Sequence, residues 1–252
     1  MLSIEDVSVG YGMGDVVHNL SFTVAQGEKL CIAGPNGCGK STLIQALARL
    51  LPYKGRICLD GVEIKSIPRR KLAGEVALLT QIPALYFSFS VKHTVAMGRY
   101  PHVKGRLSGL SKEDWDAVDS CMEQMGIADI AERPITQISG GQLQRTLLAR
   151  VLAQFPKVIL LDEPMNHLDL TYQIELLEHL ERWQRKENGV IVAVFHDLNL
   201  VRSFADRVLL LDNGHMAALD TCDRVLSGKE INRVFEMDVA AWMQSALRRW
   251  EK

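Results

Sequence analysis

The segment Lys29-Leu30-Cys31-Ile32-Ala33-Gly34-Pro35-Asn36-Gly37-Cys38-Gly39-Lys40-Ser41-Thr42 runs from an apolar stretch through a glycine-rich loop into a helical pattern. Lys29 to Ala33 has the length of a short strand. Thr42 to Leu51 carries helical periodicity that stops at Pro52. Between them, Gly34 to Ser41 matches G-x-x-x-x-G-K-[ST], the phosphate-binding loop, in the strand-loop-helix context that this motif requires. At ordinary residue frequencies the pattern arises by chance in about one chain in a hundred of this length. Its glycines let backbone N–H groups converge on phosphate oxygens, and the helix N-terminus adds a favourable dipole. Lys40 is expected to reach the β- and γ-phosphates, and the Ser41 hydroxyl to ligate Mg²⁺. The bland alternative is a plain glycine-rich turn.

Further along, Val158-Ile159-Leu160-Leu161-Asp162-Glu163 reads as a buried strand ending in two carboxylates. Adjacent acids at a strand's end are costly without a task there. Asp162 suits a water-mediated Mg²⁺ contact, and Glu163 suits a base that polarises an attacking water. Taken alone, Asp-Glu-Pro is also a common turn; the phosphate loop tips the balance. Ser139-Gly140-Gly141-Gln142 opens a helix predicted from Gly141 to about Gln154 and forms a second anion-binding concavity, or else a simple N-cap. One ATP needs one phosphate loop, so a second phosphate binder suggests a site completed by another copy of the chain.

Alternation in Ser3 to Val9 and His18 to Val24 predicts two half-buried strands joined by the turn Gly10-Tyr11-Gly12-Met13-Gly14. The apolar runs Val158–Leu161, Val190–Phe195 and Val208–Leu211 are strand-sized, with helical segments between them. This pattern predicts an α/β core with a largely parallel sheet. From about Ile82 to Pro156 no strand is evident. Ser111-Lys112-Glu113-Asp114 resembles a capping box for a helix reaching about Met125, so the region reads as a helical insertion.

The composition excludes whole classes. Of 252 residues 47% are hydrophobic and 23% charged, with 29 Lys+Arg against 30 Asp+Glu, a net charge of −1. That is the balance of a globular protein, not of a disordered, fibrous or nonspecific nucleic-acid-binding chain. The five cysteines are scattered and include no C-x-x-C pair, which points to a reducing compartment. The start lacks the pattern of a signal peptide, and no apolar run is long enough to span a membrane. The chain is expected in the cytosol, or at a membrane through other proteins. Among the seven histidines no metal-ligand spacing occurs. Cys38, inside the phosphate loop and beside Lys40, is expected to have a lowered pKa.

With these motifs in this order, the chain resembles ABC-type ATPases over residues 1 to about 220. The resemblance implies an α/β P-loop NTPase core with a mostly parallel sheet, an antiparallel β subdomain and a helical insertion. It places the core at 1–81 and 157–220, the helical subdomain at 82–156 and an extension at 221–252. It implies that Gly34, Pro35, Asn36, Gly37, Cys38, Gly39, Lys40, Ser41 and Thr42 bind ATP, with Tyr11 under the adenine. Gln81 matches the glutamine that senses the γ-phosphate and Mg²⁺, with Ser41 and Asp162. His196 matches the histidine that contacts the γ-phosphate, beside Glu163 and Lys40 in catalysis. Asp169 matches the loop crossing a homodimer interface, where Ser139, Gly140, Gly141 and Gln142 contact ATP in trans.

Ala96-Met97-Gly98-Arg99-Tyr100-Pro101-His102, His196-Asp197-Leu198-Asn199-Leu200 and Asp162-Glu163-Pro164-Met165-Asn166 resemble importers for iron–siderophore, haem and vitamin B12. This implies a membrane permease as partner, an extracytoplasmic binding protein as indirect partner, and a place on the cytoplasmic face of the membrane. Ala84-Leu85-Tyr86-Phe87 is expected in a groove for a permease helix. The rival is a soluble ABC ATPase of translation, Fe–S assembly or DNA metabolism. After about Leu226 the sequence departs from the importer pattern. Its tail is expected to be either an amphipathic helix covering the core or a small interaction surface.

Overall fold

The computed structural model describes residues 1–12, 14–80, 88–103, 105, 109–165 and 169–248. In chain order the strands and helices begin β1 (Leu2–Gly10), β2 (Asp15–Val24), β3 (Lys29–Ala33), α1 (Lys40–Leu47), β4 (Tyr53–Leu59) and β5 (Val62–Glu63). They continue with α2 (Arg69–Glu75), β6 (Val76–Thr80), α3 (Val91–Ala96), α4 (Lys112–Gln124), α5 (Gly140–Leu152), β7 (Val158–Asp162) and α6 (Leu170–Glu187). The chain closes with β8 (Val190–Val194), α7 (Leu198–Phe204), β9 (Arg207–Asp212), β10 (His215–Thr221), α8 (Cys222–Leu226), α9 (Lys229–Phe235) and α10 (Val239–Leu247).

The chain forms two compact units. One comprises Met1–Lys65 with Val190–Lys252. Here β3 lies parallel to both β8 and β9, and β10 adds antiparallel to β9. Strands β3, β8 and β9 are almost wholly buried, which is why they read as unbroken apolar runs. A second sheet in this unit, in the order β2-β1-β4-β5, is antiparallel throughout. The half-buried alternation of β1 and β2 is its signature. The other unit, Ser66–Gly189, holds the parallel pair β6 and β7 with helices α2 to α6.

Most predicted elements are present within a residue or two. Strand β10 is an addition to the expected strands, lying at a sheet edge with its residues half-exposed or exposed. Helix α1 begins at Lys40 and ends at Leu47, short of the expected Leu51. Arg49 takes a left-handed backbone (φ 55°), and the Arg49 and Leu50 N–H groups donate back to the Ala46 and Gln45 carbonyls. That is a Schellman cap. Arg49 stands where glycine is usual, its guanidinium donating to the Ile64 carbonyl at 2.9 Å.

The tail does form a helix, α10, but core cover is a minor part of it. Only Val239 is buried in α10, and Trp242 is 56% exposed.

Candidate functional site

Strand β3 delivers the chain into the phosphate loop at the level where β8 delivers Phe195 and His196, because Ile32 pairs with Val194. The loop turns through three glycines with positive φ, namely Gly34 (146°), Gly37 (81°) and Gly39 (103°). Two of these sites also lack room for a side chain. A Cβ on Gly34 would stand 2.3 Å from the Leu211 carbonyl oxygen, and one on Gly39 2.7 Å from Val17 Cγ2.

Helix α1 then starts from Gly39 with no capping side chain and no acid in its first turn. Such an end concentrates partial positive charge with no internal counter-charge. Lys40 is 5% exposed, and its ammonium donates to the carbonyls of Gly34 at 2.9 Å and Pro35 at 2.8 Å. A buried cation held by two neutral carbonyls, with the Cys38 sulfur 4.0 Å away and an uncapped helix start beside it, fits a polyphosphate. The Thr42 hydroxyl donates to the Tyr11 hydroxyl at 3.3 Å, while Tyr11 itself is 57% exposed. That hydroxyl pair ties the expected adenine platform to the loop, a link with no sequence signal.

Cys38 departs from expectation. The thiol is 4% exposed, and burial pushes its pKa up despite the opposing pull of Lys40. A thiolate in the loop is therefore not favoured, because desolvation outweighs a cation 4.0 Å away.

In the other unit, β7 places Asp162 opposite Thr80 of β6. Gln81, the residue after Thr80, lies outside the described residues, as does Ala84-Leu85-Tyr86-Phe87. Glu163 follows with φ 53°. A non-glycine residue held there costs roughly 1–3 kcal/mol and persists only where its surroundings fix it. The Ser41 hydroxyl and the Asp162 carboxylate are hard oxygen donors, the chemistry that Mg²⁺ takes.

Ser139 caps α5. Its hydroxyl accepts from Gln142 N at 3.2 Å, and the Gln142 side chain accepts from Ser139 N at 3.0 Å. This is a complete capping box, so the N-cap reading holds in the chain by itself. Gly141 has no room for a Cβ, which would stand 2.2 Å from the Tyr172 ring. Asp169 caps α6 by accepting from Tyr172 N at 3.1 Å. Tyr11, the phosphate loop and His196 thus belong to one unit. Asp162, Glu163, Asp169 and Ser139 to Gln142 belong to the other.

The segment Ala96 to His102 has a structural job. Arg99 is buried and donates to Asp114 Oδ1 at 2.9 Å and to the Ala153 carbonyl at 2.7 Å, with its guanidinium 4.6 Å from the Phe155 ring centre. Burial alone would raise the Asp114 carboxyl, but hydrogen bonds from Ser111 and Arg99 hold it below its usual value. Gly98 lets this turn approach α5, since its Cβ would stand 2.2 Å from the Arg150 carbonyl oxygen.

The ABC transporter family model matches residues 17–166 of this chain. An uncharacterized ABC transporter ATP-binding protein of Bacillus subtilis is 39% identical over 241 residues, covering 95% of this chain. This chain spans only 54% of that relative's length. The iron(3+)-hydroxamate import ATP-binding protein of the same species is 35% identical over 238 residues, 94% of this chain and 88% of that protein. Among solved structures, an inward-facing ABC transporter described as of the metal-chelate type aligns with a TM-score of 0.81 at 28% identity. That alignment covers 93% of this chain and 88% of the other.

Proposed function

The chain belongs to the ABC transporter family, and from that membership we propose that it is the ATP-hydrolysing subunit of a metal-chelate importer. The cargo class is an iron–siderophore, haem or corrinoid. The observation that carries the reading is the uncapped, acid-free start of α1, with buried Lys40 beside it. ATP binds there in the loop Gly34 to Thr42, through its backbone N–H groups other than at Pro35, with Tyr11 under the base. Ser41, Gln81 and Asp162 would hold a Mg²⁺ ion, which would supply neutralising charge on the phosphate oxygens.

Lys40 exchanges its two loop carbonyls for phosphate oxygens and stabilises charge that builds there during transfer. Glu163 accepts the proton of the attacking water, and His196 contacts the γ-phosphate. A second copy contributes Ser139 to Gln142, with Asp169 at the interface of the two. We read 1–81 with 157–220 as the nucleotide core, 82–156 as a helical subdomain and 221–252 as an extension. Among the described residues no helix is long and apolar enough to cross a membrane. The chain reaches the cytoplasmic face through a permease, and a binding protein outside delivers the cargo.

The test is ATP turnover and chelate uptake by the subunit with its permease. Glu163→Gln should cost on the order of 10²–10⁴ in turnover while ATP binding survives. Lys40→Ala should lose binding itself. Wild-type turnover in the Glu163 variant would sink the assignment of the base. An intact complex that moves no metal chelate would sink the cargo class.

A further inference from the structure

Gln144 is the one strongly buried amide side chain on α5, only 3% exposed. It lies three residues after Gly141, so both fall on one face of the helix. Its Nε2 donates to the Pro164 carbonyl at 2.9 Å, across 20 residues of sequence. Its Oε1 is buried and has no hydrogen-bond partner among the described residues. Rotating the amide would set Oε1 against the Pro164 carbonyl oxygen, so the donor orientation is the only one chemistry allows. If the position served packing alone, an apolar side chain would fill it without stranding an acceptor. What the amide adds is the bond to Pro164.

That bond lands one residue beyond Glu163. On its N-terminal side Glu163 is held by β7, whose last residue, Asp162, is in register with Thr80. On its C-terminal side stands Pro164, which has no N–H, so its carbonyl is its one backbone group able to hydrogen-bond. Gln144 grips that group. The left-handed backbone of Glu163, φ 53°, is thereby clamped between a sheet ladder and a side chain from α5. Strain of this kind needs such a clamp to persist.

Two residues upstream on α5 is Gln142 of the Ser139 capping box, and Gly141 rests on Tyr172 of α6. The helix that opens with Ser139-Gly140-Gly141 is therefore in direct contact with the backbone that aims Glu163.

We infer that Gln144 is a positioning residue for Glu163, tying the orientation of that carboxylate to α5. The inference rests on the reading of Glu163 as the base. It acts through geometry, so it bears on the chemical step and not on nucleotide affinity.

Three full-length variants test it: Gln144→Met, Glu163→Gln and the double variant, each with ATP turnover, ATP affinity and thermal unfolding measured. Gln144→Met keeps the length of the side chain and removes the donor. Its kcat should fall about 10–100-fold, the scale of a small misplacement of a catalytic group. Its KM for ATP should stay within about threefold, as for a contribution realised only in the transition state. The double variant should be no more than about twofold slower than Glu163→Gln, because residues that act as one unit do not add.

A Gln144→Met protein with wild-type kcat overturns the inference. So does a double variant slowed by the product of the two single effects, since Gln144 would then act independently of Glu163. If Glu163→Gln itself turns over normally, the reading of the base has failed, and the positioning role falls with it. Should Gln144→Met not fold, Gln144→Leu takes its place: its side chain is apolar and has no donor at any pH, and the same split between kcat and KM is expected.

Discussion

Helices α1 and α5 both open on glycine-rich sequence, and they finish their first turns by opposite means. At α1 the cap position is Gly39 in a left-handed conformation, with no side chain to satisfy the helix N–H groups. At α5 the Ser139 hydroxyl and the Gln142 amide satisfy one another's backbone donors. An anion arriving at α1 meets an end with no capping side chain and no acid in its first turn. One arriving at α5 meets a cap already made, and must share it or displace it. The difference teaches which half of the proposed composite site can act first. On the proposed reading, the loop before α1 would take the phosphate chain first and α5 would add to the complex afterwards.

The closed character of α5 extends to its far end, and the largest expected effect lies there. Arg99 donates to the Ala153 carbonyl just beyond α5 and to Asp114. Arg99→Met should destabilise the protein by about 3–5 kcal/mol, because it leaves a buried carboxylate unpaired. Chemical denaturation at neutral pH measures this. The Asp114 carboxyl sits below its usual range in the folded state. The contribution of the pair is therefore fully present above about pH 4 and is lost as the pH falls through the lowered value. The gap between Arg99→Met and wild type should accordingly narrow in acid.

A sharper comparison comes from adding one methyl group to each helix start. Gly39→Ala meets Val17 and must also hold φ near 103°, which costs roughly 1–2 kcal/mol for the backbone alone. Gly141→Ala meets the Tyr172 ring first, an overpacking of about 1–3 kcal/mol. Removing the neighbour should therefore rescue one and not the other. Tyr172→Ala should recover most of the stability lost in Gly141→Ala. Val17→Ala should leave Gly39→Ala strained and still weak in ATP binding. Equal rescue at both sites would break the contrast between a conformational and a steric glycine.

The smallest effect expected is that of the cap. Ser139→Ala should cost about 1 kcal/mol, read from the midpoint of a urea titration. If it costs nothing, α5 is not closed by its own side chains, and the two helix starts are more alike than their hydrogen bonds say.

Much of this was legible before any coordinates. Gly34 to Ser41 spells its chemistry in eight adjacent residues, and the buried strands declare themselves as apolar runs. The capping box at Ser111 and the N-cap at Ser139 depend on residues within one turn, so they are legible locally, while the reciprocal Gln142 bond at Ser139 emerges from the structure. The Arg99 segment was legible only as a resemblance. Its actual work, pinning a turn to the carbonyl of Ala153, joins residues 54 apart.

Local chemistry encoded in neighbouring residues was thus determined by the sequence itself: the phosphate loop, the buried strands β3, β8 and β9, and the strand that leads into Asp162 and Glu163. Tertiary structure alone decided what surrounds those groups. It buried Cys38 and reversed the expected direction of its pKa, because desolvation depends on every segment packed around a thiol. It set Gln144 against Pro164 and the Tyr172 ring against Gly141, contacts made by residues distant in the chain. Periodicity and motif spacing act over a turn or a strand, whereas burial and partner choice are properties of the packed chain.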